Sequence, residues 1–217
     1  MPDHLSWLHN LHIEVVVFDL GNVIIPVDFE KTVQSFISLG GKKASELYHY
    51  AGQTHLFEEL ERGEVSREEF LDRVRPELNY ASDTEIVEAW NAMLFHIDHS
   101  IFEYLNKLRP RFKTYVLSNI NTYHAEWVDQ AMRSASSEQD ISQYFDHVFY
   151  SHEIGHRKPE YGAWQTMIEQ EGVDPKKTLF IDDKDENIKA AKALGFHGLQ
   201  WNPSSDIRLV VDILLPS

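Results

Sequence analysis

The run Val15-Val16-Val17-Phe18-Asp19-Leu20-Gly21-Asn22-Val23 narrows the folds open to this chain. Its apolar, mainly β-branched opening has no polar alternation, which is the pattern of a central parallel strand covered on both faces. Asp19 then falls at the carboxyl end of that strand, where open α/β sheets receive their ligands. An aspartate in that place also suits a plain turn, so the rest of the chain has to decide its role.

Strand-like segments return at Lys113-Thr114-Tyr115-Val116-Leu117-Ser118, His147-Val148-Phe149-Tyr150-Ser151, Thr178-Leu179-Phe180-Ile181-Asp182 and, more weakly, Gly198-Leu199-Gln200-Trp201. Helical spacing fills the gaps at about Thr122–Ser134, Glu160–Glu171 and Asp185–Leu194, with Gly195 as a stop. Alternating strand and helix implies right-handed crossovers and a parallel sheet. The expected fold class is therefore α/β, a Rossmann-like parallel sheet with helices on both faces.

Between the first two strands the pattern is helical. Asp28 can cap a helix carrying Phe29, Val33, Phe36 and Ile37, and Gly40-Gly41 can end it. Ser66 with Glu69, Ser82 with Glu85 and Ser100 with Glu103 have capping-box spacing. This predicts a helical cap over residues 28–100, inserted into a core of residues 1–27 and 101–217, with Glu61-Arg62-Gly63-Glu64 as a tight link. Val23-Ile24-Ile25-Pro26-Val27 is expected as a small extended flap, and Ser134–Asp140 as a solvated loop.

Composition removes several partners. With 35 acidic and 20 basic residues and a net charge of −15, the 217-residue chain has no basic stripe for nucleic acid and little attraction to an anionic membrane. No apolar stretch approaches a membrane span, and the N-terminus has none of the parts of a signal peptide. Cysteine is absent, which rules out thiolate metal sites and fits a reducing compartment, so a cytoplasmic protein is expected.

The chemistry gathers at strand ends. Asp19, Ser118-Asn119 and Asp182-Asp183 each close a strand, and Lys158 follows the third strand just before Pro159, expected to open a helix. Carboxylates from separate strands offer hard oxygen ligands suited to Mg²⁺ with phosphate and water, while Ser118 and Lys158 suit phosphate oxygens.

In order and spacing, Phe18-Asp19-Leu20-Gly21-Asn22-Val23, Val116-Leu117-Ser118-Asn119, Gly155-His156-Arg157-Lys158-Pro159-Glu160 and Phe180-Ile181-Asp182-Asp183 with Asn187 resemble the four motifs of the haloacid dehalogenase-like hydrolase superfamily. The helical insert is similar to the small cap of the subfamily that carries it between the first two motifs. The Asp-Leu-Gly-Asn-Val opening most resembles a bacterial branch that includes sugar-1-phosphate phosphatases. The resemblance implies a phosphatase acting on a small phosphorylated metabolite such as a sugar phosphate, in a monomer or small homo-oligomer. Asp19 would be the nucleophile, forming an aspartyl phosphate. Asp19, the Gly21 carbonyl and Asp183 would hold Mg²⁺ with Asp182 beside them. Ser118, Asn119 and Lys158 would bind the phosphate, and Asn187 would pin the loop of the acid pair.

Other readings are weaker. His152-Glu153-Ile154-Gly155-His156 matches a zinc-protease pattern, but Gly155 and Pro159 oppose the continuous helix which that site needs, so a connecting loop is expected. His55, His96, His99 and His124 are expected at the surface or in the core, with His55 a loose candidate for a substitute acid. A 2-haloacid dehalogenase would use the same nucleophile without metal, yet adjacent Asp182 and Asp183 make sense around a cation. A non-catalytic phospholigand-binding protein on the same fold is a further alternative. A response-regulator receiver is excluded, since its acid pair would come first and no cap would interrupt its sheet.

One departure matters. Phosphatases of this superfamily usually carry a second Asp two residues after the nucleophile, as the leaving-group acid, and this chain has Gly21. A positioned acid is typically worth ~10²–10⁴-fold. Rates across a series of phosphate esters should therefore fall steeply as leaving-group pKa rises; a flat dependence would show that another group supplies the proton.

Overall fold

The computed structural model describes residues 3–40, 55–94, 96–135 and 140–215. Its elements follow the order β1 (Val15–Phe18), α1 (Phe29–Gly40), α2 (Leu56–Glu61), α3 (Arg67–Val74), α4 (Asp83–Asn91), α5 (His99–Leu105), β2 (Lys113–Ser118), α6 (Thr122–Ala135), β3 (His147–Tyr150), α7 (Ser151–Ile154), α8 (Tyr161–Glu171), β4 (Thr178–Asp182), α9 (Asp185–Ala193), β5 (His197–Gln200) and α10 (Arg208–Leu214). Short 3₁₀ turns join several of them. Gly41 and residues 136–139 of the expected loop lie outside the described residues.

The sheet is parallel and five-stranded in the order β3-β2-β1-β4-β5, so the expected α/β class holds and β1 is its centre. All of β1 is buried because its side chains alternate between two apolar layers. Val15 and Val17 join Tyr115, Leu117 and Phe180 under α8 and α9, against Trp164 and Ile188. Val16 and Phe18 join Val116 and Ile181 on the other face, in a cluster that runs through Phe102 and Val210 and on to Phe36, Phe70 and Trp90. After β3 the chain returns across the sheet to β4 on the far side of β1. This reversal of strand order opens a crevice at the carboxyl ends, which is where Asp19 lies.

Local chemistry accounts for most helix boundaries. Ser82 and Glu85 form a reciprocal capping box at the start of α4, and Ser66 accepts from the Glu69 backbone N–H at the start of α3. The start expected at Ser100 is displaced: Asp98 caps α5 and its carboxylate takes both the backbone N–H and the hydroxyl of Ser100. Pro159 does not open a helix either, since α8 starts at Tyr161 behind Glu160. The expected flap at Val23–Val27 is mostly a tight turn in which the Ile24 and Ile25 backbone N–H groups donate to the Leu20 carbonyl, with isolated bridges from Gly21 to Ile25 and Val27 to Leu94.

Two glycines separate backbone strain from close approach. Gly155 ends α7 in the left-handed region at φ 72° with open space beside it, whereas Gly63, at φ 68°, lies so close to the His152 carbonyl oxygen that a Cβ would run into it. Gly155→Ala should cost about 1 kcal/mol for the backbone alone. Gly63→Ala should cost ~2 kcal/mol more, because the link after α2 must move away from α7. Urea unfolding of the two variants checks the difference; equal losses would show that the link yields freely.

Candidate active site

Each strand end delivers one group to the crevice. Asp19 follows β1, and its backbone N–H donates to the Ile181 carbonyl at 2.9 Å, which carries the β1–β4 ladder one residue past the strand. Asp182 ends β4 and Asp183 follows it; Ser118 ends β2; Lys158 comes from the loop between α7 and α8. A cavity of about 250 Å³ is lined by Asp19, Gly21, Ser118, Asn119, Lys158 and Asp183, among others. All the residues expected from the sequence therefore meet, with Asp182 buried behind them.

Lys158 is the hub. Its side chain is 1% exposed, and Nζ lies 2.8 Å from Asp19 Oδ1 and 2.7 Å from Asp182 Oδ2. Its peptide unit is fixed as well, since its backbone N–H donates to Asn119 Oδ1 at 2.8 Å and its carbonyl accepts from Asn119 Nδ2 at 2.7 Å. Asn119 thus holds Lys158 with one N–H and its carbonyl oxygen, and its second Nδ2 hydrogen is not used by these bonds. Asp182, fully buried, accepts from Lys158, from the Lys184 backbone N–H at 2.8 Å, and with both oxygens from Asn187 Nδ2 at 3.0 Å. With its lone pairs so engaged, Asp182 positions Lys158. Asn187 grips the acid itself.

Asp19, Asp182 and Asp183 form the one cluster of metal-ligating side chains among the described residues, with one carboxylate oxygen from each lying within 4.8 Å of the others. Three carboxylates against one buried ammonium leave two net negative charges, and hard oxygens with that surplus fit a divalent cation such as Mg²⁺. The strain shows in Asp19, whose carboxyl is pushed up to about 6 by burial, against the pull of Lys158 and with the help of the charges on Asp182 and Asp183.

Sequence reasoning missed Asn22. It sits in the left-handed region at φ 58°, donates from Nδ2 to Asp183 Oδ2 at 3.2 Å, and accepts the Val27 N–H at 3.1 Å. Asparagine tolerates that backbone, so Gly-Asn after the nucleophile was the available signal. Missed too were Phe57, Glu61, Trp90 and Arg157, which line the same cavity. Arg157 Nε donates to Glu61 Oε2 at 2.6 Å, and Arg62 donates to Glu160 at 3.0 Å.

The histidine pattern does not form the continuous helix that a zinc site of that kind needs. His152 lies on the single turn of α7, in place of the loop expected there, and bonds the Ile120 carbonyl at 2.8 Å, while His156 falls beyond Gly155 and the end of that helix. His55 is 65% exposed at its side chain, pairs with Glu58, and is not among the residues lining the cavity.

His124 is a buried core histidine. Its Nε2–H donates to the Trp90 carbonyl at 3.2 Å and its Nδ1 accepts from Asn121 Nδ2 at 3.0 Å, so the neutral ring satisfies both nitrogens. Burial pulls its pKa down to about 4. Between that value and the ~6.5 of an unfolded histidine, only the unfolded chain takes the proton. Its contribution is whole above ~6.5 and is lost as pH falls toward 4, about 3 kcal/mol over the full window. Stability measured from pH 7 to 5 should fall less steeply in His124→Gln than in the parent; identical slopes would place the proton uptake elsewhere.

Known proteins extend these observations. Residues 13–195 match the model of the haloacid dehalogenase-like hydrolase family. Over 210 residues the chain is 33% identical to a D-ribitol-5-phosphate phosphatase of Bacteroides thetaiotaomicron, covering 94% of this chain and 100% of that one. A solved haloacid dehalogenase family enzyme from the same organism, in complex with magnesium and inorganic phosphate, superposes with a TM-score of 0.81 at 32% identity over 89% of this chain and 96% of its own. L-2-haloacid dehalogenase from Xanthobacter autotrophicus shares the fold alone, with a TM-score of 0.58 at 16% identity over 93% of this chain and 82% of its own. With four motifs meeting at one crevice and a family match across most of its length, the chain belongs to the haloacid dehalogenase-like hydrolases.

Proposed function

We propose that the protein is a Mg²⁺-dependent phosphatase that hydrolyses a small phosphorylated metabolite through an aspartyl phosphate on Asp19. The observation that carries this reading is the buried contact of Lys158 Nζ with both Asp19 and Asp182, beside the carboxylate of Asp183. Asp19 Oδ attacks phosphorus, and the bond from phosphorus to the ester oxygen breaks as the new one forms. Lys158 keeps the nucleophile ionised and meets the phosphate oxygens, while the Ser118 hydroxyl donates to another of them. Asp19, Asp183 and the Gly21 carbonyl would hold Mg²⁺, which supplies positive charge to the transferring group when bound. Water then cleaves the aspartyl phosphate and returns Asp19 to its starting state.

The proposed division of labour puts phosphoryl transfer on residues 1–27 and 101–217 and substrate enclosure on the cap, residues 28–100. Ion pairs join the two from Arg62 to Glu160 and from Arg157 to Glu61 and Glu58, and the apolar cluster crosses between them where Phe70 meets Tyr123 and Trp90 meets His124. The 33% relative supports a phosphatase by its name, and the relative solved with magnesium and phosphate supports the cofactor. Among the described residues no helix is long and apolar enough to cross a membrane, and with cysteine absent a cytoplasmic protein remains the proposal.

Hydrolysis of p-nitrophenyl phosphate should require Mg²⁺, stop with chelator, and fall at least ~10³-fold in Asp19→Asn. Metal-independent halide release from 2-chloropropionate would mean a dehalogenase, and phosphate binding without turnover would mean a ligand-binding protein.

A further inference from the structure

Beyond its phosphate end the cavity is walled by apolar side chains, among them Ile25, Val27, Phe57, Trp90, Met93 and Leu94. Phe57 and Trp90 stack with ring centroids 4.5 Å apart at 22°. Trp90 is held in turn by Phe36, nearly parallel at 3°, and by the ring of His124 at 4.8 Å. These rings cover Trp90, which is only 4% exposed, so the aromatic surface left to the cavity is that of half-buried Phe57, held by the stack behind it, and rigid aromatic surfaces favour other rings. Phe29, also lining the cavity, is left 46% exposed.

Several polar groups on these walls are already engaged. Glu61 and Arg157 bind each other, and both nitrogens of His124 are used. A body carrying a row of hydroxyls would give up its water here and gain little in return. The Trp90 indole N–H and Asn187 Oδ1 find no partner among the described residues, but both atoms are closed to solvent.

Resting on the phosphatase reading, we infer that the cavity takes a phosphate monoester whose body is a flat aromatic ring laid against Phe57, which Trp90 backs. This departs from the pentitol body in the name of the 33% relative. Gly21 points the same way for a separate reason. With no acid at that position, an aryl oxygen, which leaves as a phenolate of pKa ~10, departs more easily than an alkoxide.

The test separates the wall from the leaving group. Both 2-phenylethyl phosphate and ribitol 5-phosphate are primary alkyl esters, so their ratio of kcat/KM reports recognition of the body. With Mg²⁺ present the phenylethyl ester should be favoured by at least ~20-fold. Phe57→Ala should remove most of that ratio, chiefly through KM. Phe57→Leu, which keeps an apolar side chain and loses the ring, should fall between, with circular dichroism confirming that both variants are folded. A ratio at or below one, or a ratio unchanged in Phe57→Ala, overturns the inference. If these esters and p-nitrophenyl phosphate all fail to turn over, the phosphatase reading falls instead. Calorimetric binding of the two esters then decides the wall by itself: tighter binding of the phenylethyl ester upholds it, and equal or weaker binding overturns it.

Discussion

One ammonium group between two carboxylates governs this molecule. Lys158 Nζ touches Asp19 and Asp182 in a setting almost closed to water. Desolvating such charges is costly, so the arrangement persists only where further hydrogen bonds complete it. Asn187 and the Lys184 N–H complete Asp182, and Asn119 fixes the lysine's own peptide unit. The sheet supplies the frame: β1 and β4 are adjacent in register, Phe18 opposite Ile181, so Asp19 and Asp182 emerge side by side. No local folding preference would bring these charges together. Burial of the apolar layers on both faces of β1 is what holds them there.

The sheet and the charged hub were legible in the sequence because each follows from short-range pattern. β-branched runs marked the strands, and a polar residue at each strand end marked the crevice. Failures came where a side chain could act at more than one place. Ser100 has the spacing of a capping box with Glu103, yet Asp98 lies two residues earlier and its ionised oxygens accept more strongly. The bond of Asn119 to the Lys158 peptide, a donor and an acceptor at once, was a second role that spacing did not show. The cavity walls were not legible at all. Helix periodicity says that Trp90 and Phe57 are buried on their helices, but not that the two helices turn those faces toward Asp19.

That last placement is made by contacts across the chain. Arg62 and Arg157 exchange partners between α2 and the loop that carries Lys158, and Gly63 allows the link after α2 to rest against the His152 carbonyl. These ion pairs are partly exposed, and pairs of that kind contribute little to stability. Their effect is geometric, because Arg157 adjoins Lys158 in sequence. Any movement of α2 is therefore felt one residue from the hub, and the walls and the phosphate end are held in fixed relation.

Gly21 gives these facts a common direction. Its backbone lies outside the left-handed region, and an added Cβ would meet only Val27 Cγ2, at 3.4 Å, an ordinary contact. Neither strain nor crowding therefore demands glycine there, and its consequence is chemical. In the proposed reaction, with no proton donor two residues from Asp19, the leaving oxygen must carry its charge away, which is easiest where the substrate makes that charge stable. Binding energy from a distant wall cannot protonate an oxygen, but it can align the ester for attack. An apolar cavity beside Gly21 is therefore consistent with the proposed substrate: the wall would supply alignment, and the substrate would supply a leaving group able to depart unaided.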